Sequence, residues 1–160
     1  MGLSGAELAA KYGLPDEIIR ALLTTIPEVL EKRARENPDK VYLYFEDQKI
    51  TYKELNQRAN QVARALLGLG VKKGDKVACL TFNSPEMFYC WLGILKAGAV
   101  FVPVNVALRG DGLSYILNHC DAEALIIEYL LLENLNFVRD QLQNIRTVIV
   151  NTADFPGANA

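Results

Sequence analysis

Four short segments in the second half of the chain are almost wholly apolar, and they alternate with amphipathic stretches. They cover residues 77–81, 100–104, 124–127 and 147–150. A strand with apolar side chains on both faces is buried on both sides, as happens when a parallel sheet carries helices on each face. The pattern therefore predicts an α/β fold with a doubly wound, mostly parallel sheet.

The stretches between these strands carry helix start and stop signals. Ser84 is followed by Pro85 at the first helical position, and Gly98 stands where that helix would end. Pro103 lies in the second strand and has no N–H, so we expect that strand at a sheet edge or at a bulge. The helices are expected at 52–70, 85–97, 113–118 and 131–143.

The first part of the chain predicts short helices followed by a β-hairpin. Three pairs have the spacing of a capping box: Ser4 with Glu7, Thr25 with Glu28, and Thr51 with Glu54. Between the first two of these pairs lies an apolar stripe at helical spacing, made of Ile18, Ile19, Leu22 and Leu23. This stripe predicts a packed helical segment. Residues 41–52 alternate on either side of Asp47 and Gln48, which is typical of a hairpin.

These patterns divide the chain into three expected parts. Residues 1–36 form a helical N-terminal extension, residues 37–150 form the α/β unit, and residues 151–160 are a linker or a chain end because turn formers and small residues dominate there. At 160 residues the chain is long enough to bury a core without disulfides or metals.

Composition argues against several functional classes. Seventeen basic and nineteen acidic residues give a net charge of −2, so nothing favours a nucleic-acid partner. The longest apolar run without a charge, 97–108, is much shorter than the roughly 20 residues of a membrane-spanning helix. The first residues lack the pattern of a signal peptide.

The three cysteines, Cys79, Cys90 and Cys120, are expected as buried free thiols, and the protein as cytoplasmic.

Two glycine- or histidine-containing stretches are weak candidates for chemistry. Gly68, Gly70 and Gly74 follow a helix and precede a strand, which is the reverse of a dinucleotide-binding loop. His119, the single histidine, is followed by Cys120 and Asp121, but adjacent side chains point in different directions. We expect His119 to interact with a helix C-terminus. One histidine and dispersed cysteines predict no metal site.

Four residues follow strands at the position where an open α/β sheet binds ligands. Asn83 and Ser84 come after the first strand, and Asn105 and Arg109 after the second. Two interpretations remain open for each pair. Ser84 is either an ordinary helix cap or a ligand contact, and Asn105 with Arg109 form either a surface turn or a cationic edge for a phosphate.

Two longer strings resemble a known family. Residues 51–55, TYKEL, are similar to the [ST]-Y-x-E-L motif of the adenylate-forming superfamily, and residues 95–103, LKAGAVFVP, to its L-K-A-G-[AG]-x-x-x-P motif. The strings KKGDKVA and NSPE lie between them at suitable spacing. The resemblance covers residues 38 to about 150 and is strongest to fatty acyl-CoA synthetases.

The resemblance implies an enzyme that joins a carboxylic acid, expected to be a fatty acid, to AMP with ATP and Mg²⁺ and then passes the acyl group to CoA. Some members have Asn-Pro-Arg-Leu after the strand, with the arginine near the CoA nucleotide. Here that proline and arginine are absent, and Arg109 lies two places later, so Arg109 is the candidate CoA contact.

The family's glycine- and serine-rich phosphate loop, its later motifs and its catalytic lysine are absent from the sequence. The expectation is therefore an N-terminal subdomain without catalytic residues, inactive alone, whose partner is the remainder of a synthetase. Peripheral membrane contact is compatible with a fatty acid substrate. The alternative is a stand-alone binding or interaction module with the same fold.

Overall fold

Residues 4–152 are described by a computed structural model. In chain order the elements are α1 (Gly5–Tyr12), α2 (Asp16–Leu23), α3 (Ile26–Glu36), β1 (Val41–Phe45), β2 (Gln48–Thr51), α4 (Tyr52–Gly68), β3 (Lys76–Leu80), α5 (Pro85–Lys96), β4 (Val100–Pro103), α6 (Gly110–His119), β5 (Ala122–Glu128), α7 (Leu132–Val138) and β6 (Thr147–Asn151). Single 3₁₀ turns, Tyr129–Leu131 and Arg139–Gln141, flank α7.

The central sheet has four parallel strands in the order β4-β3-β5-β6. Helices α6 and α7 cover one face, where they pack on Ala78, Leu80, Leu125 and Ile127. Helices α4 and α5 cover the other face, where they pack on Val77, Cys79, Ala124 and Ile126. Alternate residues of β3 and β5 thus enter two separate cores, which confirms the doubly wound α/β fold with helices on both faces.

Pro103 is accommodated at the outer side of an edge strand. β4 is the last strand on its side of the sheet, and the N–H of Val104 donates to the carbonyl of Cys79 on β3. Because successive N–H groups of a strand point to opposite sides, the nitrogen of Pro103 faces away from β3. Of the two predicted positions, a sheet edge or a bulge, the structure shows the edge, and the proline removes no hydrogen bond with β3.

Several predicted boundaries are wrong by a few residues. The hairpin turn is at Glu46 and Asp47, with Glu46 at φ 49°, and Gln48 already belongs to β2. The strand expected at 124–127 covers 122–128, and the helix expected at 113–118 begins at Gly110. The long helix expected at 131–143 is one short helix between two 3₁₀ turns. The 3₁₀ turn Arg139–Gln141 replaces the last helical turn, and Leu142 and Ile145, which follow it, pack on the core.

The N-terminal helices form as predicted, but their apolar stripe is only partly packed. All three capping boxes are present, at Ser4, Thr25 and Thr51. Helices α1 and α2 pack against each other, and Ile19 is buried. The rest of the predicted stripe, Ile18, Leu22 and Leu23, is 46%, 61% and 51% exposed.

The motif lysine Lys96 attaches α3 to the α/β unit. Its side chain is 5% exposed, and its Nζ lies 2.5 Å from Oε1 of Glu31 on α3. Leu30, on the same helix, is buried in a third core with Leu55 and Leu92. The lysine and glycine of the LKAG string therefore have structural roles here: Lys96 pairs with Glu31, and Gly98 has φ 77° where α5 ends.

Helices α4 and α5 approach each other closely at Gly93, and this contact yields a first prediction. A methyl group at Gly93 would lie 2.6 Å from Cβ of Val62 and 2.9 Å from the carbonyl oxygen of Ala59. We expect Gly93→Ala to lower the free energy of unfolding in urea by about 1–3 kcal/mol, because backbone atoms must move. Gly68→Ala is the matched control, since a methyl group there meets no atom within 4 Å. Its expected effect is neutral or stabilising by up to about 1 kcal/mol. Equal effects of the two substitutions would contradict the close approach.

The Lys96–Glu31 pair yields a second prediction. Glu31→Ala leaves a buried ammonium group without its carboxylate, and we expect a loss of about 1–3 kcal/mol in urea unfolding. Adding Lys96→Met should recover most of that loss, because the buried charge is then removed. The control is Glu36→Ala, which breaks the exposed pair with Lys32 at 3.9 Å and should change stability by no more than about 0.5 kcal/mol. No recovery in the double variant would argue against a buried, paired Lys96.

Candidate functional site at the carboxyl ends of the strands

The order of the sheet strands indicates where a ligand site can form. From β3 the chain crosses to β4 on one side, and β5 and β6 then extend the sheet on the other side. The loops after β3 and β5 consequently diverge above the sheet. In open α/β sheets ligands bind outside the carboxyl ends of the strands at such a switch point.

A cleft of about 350 Å³ lies at the same carboxyl edge, but between the ends of β3 and β4 and so beside the switch point. Its polar lining comes from Thr81, Asn83 and Asn105, and its apolar lining includes Phe82, Met87 and Phe101. The structure thus brings together Asn83 and Asn105, which are 22 positions apart in the sequence. Amide and hydroxyl groups on an apolar wall are suited to a ligand with amide or hydroxyl functions.

Ser84 is engaged by the helix that it begins. Its Oγ accepts a hydrogen bond from the N–H of Met87 at 3.3 Å, and Pro85 occupies the first helical position. Asn83, one residue earlier, is exposed at the mouth of the cleft. The local sequence therefore explains Ser84 as a helix cap, and a ligand contact by either residue stays a prediction.

Arg109 points at its own loop. Its Nη1 donates to the carbonyl of Leu108 at 2.8 Å and also to the carbonyl of Val106. Asn105 closes the other end of this loop, since its Oδ1 accepts from the N–H of Ala107 at 2.9 Å. The side chain of Arg109 is exposed, directly before α6. A contact between Arg109 and CoA stays a prediction, and it requires the guanidinium group to give up at least one of these carbonyls.

His119 is the last residue of α6, and its ring stacks on the ring of Tyr115 with centroids 5.2 Å apart and planes at 11°. Asp121, two residues on, adopts φ 52° in the turn into β5. Cys120 is half-buried between them, and its Sγ donates to the carbonyl of Leu117 at 3.5 Å. These three residues end α6 and lead into β5, and no nucleophile–base contact joins them.

The sequence reasoning missed a buried carboxylate at the same edge. Glu128 ends β5 and is 3% exposed. Asn151, at the end of β6, donates from Nδ2 to both carboxylate oxygens, at 3.0 and 3.1 Å. Glu128 is a charged residue that closes an apolar strand directly at the carboxyl edge, and this was the signal that could have found it.

The residues of the cleft do not fit ATP and Mg²⁺. Within the part of the chain that the structure describes, no lysine or arginine lines the cleft. Over the same residues no three His, Cys, Asp or Glu side chains are grouped so that they could hold a metal ion. The lining of the cleft therefore offers no cationic group that would balance the charge of a triphosphate.

The open parallel sheet with helices on both faces, with a partly polar cleft at the carboxyl ends of β3 and β4, places the chain in the doubly wound α/β class. Residues 30–159 match the family model described as AMP-binding enzyme. The chain therefore belongs to the AMP-binding enzyme family, and the resemblance to the adenylate-forming superfamily is confirmed.

Similar sequences include peptide synthetases. Bacitracin synthase 3 from Bacillus licheniformis is 38% identical over 116 residues, which cover 72% of this chain and 2% of that protein. Tyrocidine synthase 3 from Brevibacillus parabrevis is 38% identical over 122 residues, which cover 76% of this chain and 2% of that protein.

Similar structures include acid–CoA ligases. An anthranilate CoA ligase in complex with anthranoyl-AMP superposes with a TM-score of 0.76 at 32% identity, over 86% of this chain and 26% of that one. A fatty acyl CoA synthetase from Mycobacterium tuberculosis gives a TM-score of 0.74 at 30% identity, over 80% of this chain and 26% of that one. The chain thus spans about a quarter of these ligases and a few per cent of the synthases.

Over residues 4–152, none of the helices has both the length and the apolar character needed to cross a membrane.

The two residues directly before α5, Asn83 and Ser84, yield a third prediction, which distinguishes a helix cap from an exposed side chain. Ser84→Ala removes the acceptor for the N–H of Met87, and we expect urea unfolding to show a loss of about 1 kcal/mol. Ser84→Asp keeps an acceptor and should be near neutral. Asn83→Ala is the control, because it alters an exposed side chain and should change stability by no more than about 0.5 kcal/mol. Equal losses at the two positions would contradict the capping role of Ser84.

Proposed function

We propose that this chain is the N-terminal α/β subdomain of an AMP-forming acid–thiol ligase and forms one wall of the acyl and thiol sites in the complete enzyme. The observation that carries the proposal is the match of residues 30–159 to the AMP-binding enzyme family. The complete enzyme would join a carboxylic acid to AMP, release pyrophosphate and pass the acyl group to a thiol.

The finer assignment is a fatty acid as substrate and CoA as acceptor. It is supported by the structural similarity to acid–CoA ligases, among them a fatty acyl CoA synthetase. In this assignment Asn83 and Asn105 face a ligand from the strand-end cleft, Ser84 positions α5 beside it, and Arg109 contacts the CoA nucleotide. ATP and Mg²⁺ would be bound by the remainder of the enzyme, since the cleft residues do not fit them.

A second candidate is the adenylation unit of a peptide synthetase. The observation that favours it is the 38% identity to bacitracin synthase 3 and tyrocidine synthase 3, which exceeds the identity to the two ligase structures. The carboxylic acid would then be an amino acid, and the thiol would belong to a carrier domain. The two candidates share the adenylation step and differ in the acid and in the thiol.

The proposal also covers domain organisation and location. Residues 1–36 would be a helical extension and 37–150 the subdomain proper, with 151–160 leading to the next part of the enzyme. A cytoplasmic location is supported by Cys79, Cys90 and Cys120, all free thiols. The exposed residues Ile18, Leu22 and Leu23 form an apolar face that could contact a membrane surface peripherally.

The first test uses the native protein, captured from its source cells with an antibody raised against this chain. We expect a species several times heavier than 17.8 kDa. Labelled pyrophosphate should exchange into ATP in the presence of fatty acids, and the free thiol of added CoA should be consumed. Exchange with amino acids and no consumption of CoA would select the second candidate. A native species near 17.8 kDa would contradict both and favour a stand-alone binding module.

The isolated chain provides a fourth prediction. We expect no pyrophosphate exchange above the background without enzyme, and no tight binding of ATP in titration calorimetry, because the described cleft offers no cationic groups for a triphosphate. The captured native protein is the positive control in the same assay. Exchange by the isolated chain would contradict the assignment of the chain to a non-catalytic wall.

A further inference from the structure

A second cleft, of about 750 Å³, lies at the opposite edge of the sheet from the strand-end cleft. Its walls come from the first turn of α3, from one face of α4 and from the end of α5. Gly98 and Ala99, directly before β4, also line it, whereas Pro103, at the end of β4, lines the strand-end cleft. Strand β4 therefore begins at one cleft and ends at the other. We call this second cleft the amino-edge cleft.

Two large aliphatic side chains are open to solvent in the amino-edge cleft. Ile26 on α3 is 50% exposed and Leu67 on α4 is 53% exposed, and both line the cleft. Pro27, Ala63 and Leu95 complete its apolar lining. An apolar group bound between α3 and α4 would remove this surface from water, which favours binding.

The charged lining of the amino-edge cleft has one cation in excess. Lys96 is buried and pairs with Glu31, as described above, and Arg64 on α4 is exposed. Within the described part of the chain, no carboxylate forms an ion pair with the guanidinium group of Arg64. Two cations and one carboxylate leave a net charge of +1 in the lining. A head group with one negative charge therefore complements this cleft.

We propose that the amino-edge cleft binds a molecule with one anionic head group and an apolar body, of which a medium-chain carboxylate is the simplest example. Arg64 binds the head group, Asn60, one helical turn earlier on α4, donates an amide hydrogen to it, and Ile26 and Leu67 cover the apolar body. The cleft volume lies within the range of about 300–1,000 Å³ that is typical of small-molecule sites.

The position of the amino-edge cleft separates its ligand from the substrate of the complete enzyme. Among the described residues, none lines both this cleft and the strand-end cleft. A molecule held beside Arg64 is thus a second ligand and not the reacting acid. The proposal rests on the amino-edge cleft alone, and it does not depend on the acid or the thiol that the complete enzyme uses.

The test titrates the ¹⁵N-labelled 160-residue chain with decanoate, below the concentration at which decanoate forms micelles, and follows the amide signals by NMR. We expect saturable shifts at Asn60, Arg64 and Leu67. Decanol and decyltrimethylammonium carry the same apolar body without the negative charge. Both should bind at least about tenfold more weakly, because Arg64 then has no anion to pair with.

Three variants sharpen the result. Arg64→Gln should weaken the binding of decanoate about tenfold. Arg58→Gln is the matched control: it removes the same charge from the same helix, but Arg58 is bonded to Gln61 and is not part of the cleft lining, so binding should not change. Glu31→Gln should tighten binding, because it removes the carboxylate that opposes the anionic head group. Circular dichroism checks that each variant is folded, and the titration of the unsubstituted chain does not depend on the variants.

Several outcomes would overturn the proposal. Equal binding of decanoate and decyltrimethylammonium would show that the head group is not recognised, and equal losses in Arg64→Gln and Arg58→Gln would indicate a general attraction by charge. Shifts confined to Asn83 and Asn105 would assign the carboxylate to the strand-end cleft instead. A dimer in sedimentation experiments that Leu67→Gln dissociates, without binding of decanoate, would show that a second copy of the chain covers the amino-edge cleft.

Discussion

The fold depends on burying β3 and β5 on both faces. Each strand alternates its side chains between two cores, so neither helical layer is optional: α6 and α7 cover Leu80 and Ile127, and α4 and α5 cover Cys79 and Ile126. Removing either layer would expose a row of apolar side chains on the two central strands. The free energy of folding would lose roughly 25 cal/mol for each Å² of apolar surface exposed to water. The close contact of α4 with α5 at Gly93 follows from this requirement, because two helices must fit side by side on one face.

Local signals account for most of what the sequence could predict. Capping boxes, glycines after helices and wholly apolar strands each involve residues that are close in sequence, and the structure confirms the elements they predicted. The helix expected at 131–143 is the main error. There the α-helix ends at Val138, a 3₁₀ turn follows at Arg139–Gln141, and Leu142 packs on the core from the chain after that turn. Apolar residues in this stretch therefore reach the core without a continuous helix.

The features at the carboxyl edge were less accessible to prediction, because they join residues from different elements. The pairing of Glu128 with Asn151 joins β5 and β6, and the strand-end cleft brings Asn83, after β3, together with Asn105, after β4. Neither arrangement can be read from one sequence until the strand order is known. The LKAG string indicated the family, but the motif did not reveal what its residues do. In the structure Lys96 pairs with Glu31 on α3, and Gly98 lies where α5 ends.

The two edges of the sheet differ in their capacity to accept a neighbour. Along β4, the outward nitrogen of Pro103 carries no hydrogen, so a strand added there would lack a donor at that point. β6 contains no proline between Thr147 and Asn151, and its side chains Val148 and Val150 are 44% and 37% exposed. A strand added beside β4 would therefore lose one hydrogen bond at Pro103, whereas a strand added beside β6 would meet no proline between Thr147 and Asn151.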